Sequence, residues 1–170
     1  MPKYIENLRQ KLMDEARSQT RAFGYSGVSI RAIAKGCGVG VGTVYNYYPS
    51  KDALIAGFML EDWQACMQKL EEVSRTATDP KAVARCIYDC LVDFARGHSA
   101  VIGDKAAVTA FAGAFGQYHS LLRSQLAKPL ERFCTDVFTA TFITESILAW
   151  TMAGVPFEQI EPQICKLFKE

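Results

Sequence analysis

Histidine is almost absent from this chain, with two residues, His98 and His119, among 170. Catalysis usually needs a nucleophile beside its base, a paired acid and base, or a glycine loop that cradles phosphate, and no such spacing occurs. The sequence therefore points away from an enzyme, with no catalytic residue and no cofactor expected. Long apolar runs are missing too. No stretch reaches the roughly 18 residues that span a bilayer, and the first residues lack a charged-then-apolar leader, so no membrane contact and a cytoplasmic location are expected. Cysteine is present but scattered, at Cys37, Cys66, Cys86, Cys90, Cys134 and Cys165. Reduced, mostly buried thiols are expected rather than a disulfide framework. Cys86, Cys90 and His98 recur at helical spacing, but without a carboxylate cluster or a CxxC pair they predict no metal site.

Acidic residues are scarce at one end only. Residues 1–51 hold eight Lys and Arg against three Asp and Glu, while the remainder holds 11 against 15. A head of net +5 on a body of net −4 suits a polyanion-binding module joined to one with other partners. Alternating strand patterns are the last absence, and an all-α fold follows. The expected architecture is an N-terminal three-helix head over residues 1–49 and a C-terminal bundle of about five to six helices over 50–170. The first helix carries Ile5, Leu8, Leu12, Ala16 and Phe23 on one stripe and stops at Gly24. Ser29 caps a short second helix, and Gly36, Cys37 and Gly38 form a turn. A third helix runs from about Gly40 to Tyr48, and Ser50 caps a longer fourth helix after Pro49. Asp79-Pro80 starts the next, which stops near Gly97. Further helices are expected over 104–115, from 118 into the 133–138 region, over 141–152 and over 156–168.

Between Ser29 and Leu54 the chain reads SIRAIAKGCGVGVGTVYNYYPSKDAL, two short helices around a glycine turn. Such helices cross steeply only if their contacts are small and the turn adopts positive φ, roles that fall to Ala34, Val39, Val44 and Gly38. Val41, Gly42, Thr43, Tyr45, Asn46 and Tyr47 then lie on the opposite face, an uncharged set suited to a major groove. Asn46 can pair with adenine and Val41 can touch a thymine methyl. Lys51 suits a phosphate, and Tyr48 is expected in the core. Cys37 reads most simply as a small residue in a tight turn, and more sharply as an oxidation-sensitive one.

Ile33-Ala34, Gly38-Val39, Gly42-Thr43-Val44-Tyr45, Tyr47-Tyr48, Ser50-Lys51 and Leu54 together resemble the tetracycline-repressor (TetR) family over about the first 55 residues. The resemblance implies a homodimer that binds a palindromic double-stranded DNA operator and is released by a small molecule held in the C-terminal bundle. It implies phosphate contacts at Ser29, Arg31, Thr43, Tyr45, Tyr47 and Lys51, and bases facing Val41, Gly42 and Asn46. Where the family often places Ser or a charged residue, this chain has Gly40 and Val41.

In the body, Trp63, Met67, Phe111, Phe115, Tyr118, His119 and Phe138 are candidates to line a cavity for a hydrophobic or aromatic effector, with plain packing as the competing reading. Phe142, Ser146, Trp150, Ala153, Ile160 and Ile164, on the last two helices, are candidates for the dimer interface. A second class of function fits the same chain: a helical ligand sensor or protein-interaction module without operator-specific DNA binding.

Overall fold

The computed structural model describes residues 7–169, with side chains for all of these except 113–120. Among the described residues every regular element is helical, and they fall into two compact units.

Of the described residues, the first unit comprises 7–62 together with 98–112. Its first helix, α1 (Leu8–Gly27), is broken at Gly24, where φ 72 and ψ 170 leave the helical region. Leu8, Leu12 and Ala16 are buried at the spacing of one helical face, as an amphipathic helix requires. The short helices α2 (Ile30–Gly36) and α3 (Val41–Tyr45) follow. The fourth, α4 (Lys51–Thr76), contributes its first half to this unit. Ser50 caps it, its hydroxyl oxygen accepting from the Ala53 amide at 3.0 Å. Leu54, Ile55 and Phe58, each exposed by 2 % or less, pack into the unit's core, each burial stabilising the fold by roughly 1.5–3 kcal/mol. The four-residue α6 (Ser99–Ile102) and the start of α7 (Lys105–Ala127) complete the unit. Asp104 accepts from the amides of Ala106 and Ala107 at 2.8 and 3.2 Å, which starts α7.

The second unit holds residues 63–97 and 113–169 of those described. Here α5 (Pro80–Gly97) buries Val83, Ile87, Cys90 and Leu91 against Leu126, Leu130, Ile143, Ile147 and Ile160. A 3-10 turn, Lys128–Phe133, precedes α8 (Val137–Met152), and α9 (Phe157–Ile164) closes the unit. One helix, Lys105–Ala127, replaces the two expected over 104–115 and from 118 onward. The glycines at 113 and 116 are tolerated within it, since an interior glycine costs a helix only about 1 kcal/mol. The last long helix starts at 137 rather than 141 because Asp136 caps it, accepting from the Thr139 amide at 2.7 Å. No helix among the described residues is long and apolar enough to cross a membrane.

Candidate nucleic-acid interface

The corner between α2 and α3 is set by local chemistry. Ser29 Oγ accepts from the Ala32 amide at 3.2 Å and opens α2. The chain then reverses at Gly38, whose φ of 67 lies in the left-handed region that glycine enters without steric cost. The Val39 amide closes the turn on the Ala34 carbonyl at 2.9 Å. Ala34 and Val44 are 2 % and 0 % exposed, and Val39 is half-buried, so the small residues expected at the crossing form it.

With Val44 inward, α3 and the turn that follows it present their other residues outward. Val41, Gly42, Tyr45, Asn46 and Tyr47 are exposed, and Thr43 is half-buried. Arg31 and Lys35 are exposed on α2. The hydroxyl of Ser29 keeps its own proton to donate after its oxygen has accepted the cap bond. Gly40 precedes α3 with no side-chain cap, so this helix starts without the bond that Ser or Asp would supply there. Tyr48 is buried, its hydroxyl accepting from Arg9 Nε at 3.3 Å. It belongs to the core, as expected.

Lys51 is half-buried rather than free in solution. Its ammonium donates to the Tyr25 carbonyl at 3.0 Å and lies 3.9 Å from the Tyr25 ring centroid. Neither contact was legible in the sequence, because Tyr25 and Lys51 are 26 residues apart and share no pattern. The basic excess of the head is also smaller at the surface than in the sequence. Arg17 is consumed internally, bonded to Asp14, Glu61 and Asp62 at 3.1, 2.9 and 2.8 Å and laid over the Phe58 ring. Cys37 is half-buried and donates to the Lys11 carbonyl at 3.5 Å. Burial, then Glu15 and Asp14, push its thiol above the usual range, which disfavours the reactive thiolate and favours the packing role.

The remaining candidates divide between the units. Phe111 lies in the first, edge-on to Tyr25 with centroids 5.9 Å apart. Trp63 and Met67 lie in the second. Trp63 packs edge-on against Phe94 at 5.6 Å, and its indole donates to Gln125 Oε1 at 3.0 Å. Phe138, expected in a cavity, is instead 77 % exposed on α8 and stacked on Phe142 at 6.4 Å, because the Asp136 cap brings residue 138 into the first turn of that helix. Phe115, Tyr118 and His119 lie outside the residues whose side chains are described.

Of the dimer candidates, Phe142 and Trp150 are 52 % and 53 % exposed. Ala153 is exposed and Ser146 half-buried. Ile160 and Ile164 are 4 % and 3 % exposed and belong to the second unit's own core. Phe142, Ser146, Trp150, Ile160 and Ile164 line a groove of about 390 Å³ along α8 and α9.

Two short helices crossing at a positive-φ glycine, the second presenting an uncharged polar and aromatic face beside exposed cations, define a helix-turn-helix unit. Residues 12–57 match the family described as bacterial regulatory proteins, tetR family. This segment of the chain is similar to the N-terminal part of that family of transcriptional regulators. The HTH-type transcriptional regulator UidR of Escherichia coli K12 is 31 % identical over 64 residues, 38 % of this chain and 33 % of UidR. The match thus spans about a third of that relative's length. Among solved structures, a TetR transcription regulator from Haloarcula marismortui superposes with a TM-score of 0.66 at 18 % identity, covering 97 % of this chain and 100 % of that one. The fatty acid degradation regulator FadR from Bacillus halodurans gives 0.57 at 20 % identity, covering 89 % and 88 %. These two likenesses establish the fold alone.

Proposed function

We propose that the chain is a ligand-responsive, DNA-binding repressor that holds a palindromic operator as a homodimer and lets go when a small hydrophobic molecule enters its helical body. The observation that carries this reading is the outward face of α3 beside a capped α2 and a tethered Lys51. In this reading residues 1–49 are the DNA-reading head and residues 50–170 the sensing and dimerising body. Val41, Gly42 and Asn46 meet base edges, and Ser29, Arg31, Thr43, Tyr45, Tyr47 and Lys51 meet phosphates.

Dimerisation is supported by α8, whose large apolar residues are not confined to its buried face. Ala140, Ile143 and Ile147 are buried, yet Phe138, Phe142 and Trp150 lie open at four- and eight-residue steps along it, more apolar surface than a solvated helix face usually carries. A second copy laid against this stripe and the groove beside it would bury both, and a two-fold axis there gives the paired heads a palindrome needs. The effector half rests on the family and on the aromatic interior of the second unit around Trp63 and Phe94. Displacement of α4 by the effector would change the separation of the two heads.

Selection of duplexes from a random-sequence pool tests the reading. Enrichment of a two-fold symmetric site, with affinity falling steeply as salt rises, is expected. The missing side-chain cap at Gly40 favours one rival, a helical sensor whose head no longer reads an operator. Recovery of no preferred sequence would select that rival.

A further inference from the structure

Tyr25 lies outside the helix-turn-helix motif, yet several bonds of the head meet on it. Its hydroxyl donates to Asp52 Oδ1 at 2.5 Å. Its carbonyl and its ring face both hold the Lys51 ammonium, at 3.0 and 3.9 Å. The residue is 5 % exposed and wedged against Phe111, and its neighbour Ser26 donates to Asp104 Oδ2 at 2.8 Å. Burial, then the Asp52 carboxylate, push the phenol up to about 12, so the hydroxyl remains a donor throughout the neutral range. A lysine stem is otherwise among the freest side chains, and freezing it on binding opposes association. Here it is already held, with two of the three ammonium protons left for an outside acceptor.

We propose that Tyr25 is the positioning residue of the phosphate clamp: it fixes the Lys51 ammonium before DNA arrives and keeps the Asp52 carboxylate engaged so that it does not neutralise Lys51. The inference rests on the reading of Lys51 as a phosphate contact. It also gives the first turns of α7, through Phe111 and Asp104, a grip on the corner that carries the clamp.

Lys51→Met, Tyr25→Phe and the double variant are titrated with a fluorescent mixed-sequence duplex of about 30 base pairs at several salt concentrations. Lys51→Met should weaken binding and lower the salt slope by about one. Tyr25→Phe should weaken binding about two- to tenfold beside Lys51 and not at all beside Met at 51. An unchanged Lys51→Met variant overturns the phosphate reading itself. Tyr25→Phe keeps the carbonyl and a ring face and removes only the bond to Asp52, so a Lys51→Met loss without a Tyr25→Phe loss, or equal Tyr25→Phe losses in both backgrounds, overturns the part given to Asp52. On the DNA-free protein, trace acetic anhydride should acetylate Lys51 more slowly than exposed Lys35. Equal labelling in the wild type would overturn the positioning role.

Discussion

Replacing Gly38 separates backbone conformation from side-chain space at the turn of the reading head. Gly38 has φ 67, and a Cβ built there meets nothing within 4 Å. The cost of an added side chain is therefore conformational: an L-residue in the left-handed region loses roughly 1–2 kcal/mol. Stiffening of the unfolded chain by alanine returns about 0.4–1 kcal/mol. The net loss for Gly38→Ala is about 1 kcal/mol; Gly38→Asn should lose less, because asparagine tolerates this region, and Gly38→Val more, because a β-branched residue does not. Tryptophan fluorescence is the wrong assay, since Trp63 and Trp150 both lie in the second unit. Amide hydrogen exchange at α2 and α3 reads the head directly, and a loss of 1 kcal/mol speeds exchange by opening about fivefold. Tolerance in the order Asn, Ala, Val is expected. A neutral Gly38→Ala, or an asparagine variant worse than alanine, would refute the argument from φ.

Acid should loosen the first unit through Glu61. The bond from Arg17 holds this carboxyl below its ordinary value of 4.5, so its contribution is full above that value and is lost as pH falls through the depressed folded value. Urea titrations between about pH 6 and pH 3 should show wild type losing more stability than Arg17→Met on acidification; parallel losses would contradict the linkage. Trp150→Glu, at a side chain 53 % exposed, should leave the helical circular dichroism intact and halve the mass seen by light scattering. A variant of undiminished mass would remove α8 from the interface. Tyr45→Ala should weaken DNA binding without changing that mass, and a loss of dimer instead would mean the head is misassigned.

The parts of the head written in local chemistry were legible in the sequence. Ser29 and Ser50 as caps, Gly38 at positive φ and Tyr48 in the core each follow from one residue type in one local setting. Bonds between distant residues were not legible. The Lys51–Tyr25 and Arg17–Glu61 contacts join positions 26 and 44 residues apart, and nothing in the spacing announces them. Helix boundaries in the body differ where a cap sets the start, as at Asp136, and where one helix runs through the break expected between 115 and 118. Phe138 moved from cavity candidate to surface for the same reason: its place depended on where α8 begins.

The central claim is that α3 lies in the major groove, and dimethyl sulfate interference on a duplex selected by the protein tests it most directly. The reagent methylates guanine N7 in the major groove and adenine N3 in the minor groove. Two clusters of N7 interference about one helical turn apart are predicted, as a two-fold pair of reading helices requires. Interference confined to adenine N3, or none on any recovered duplex, would contradict the account.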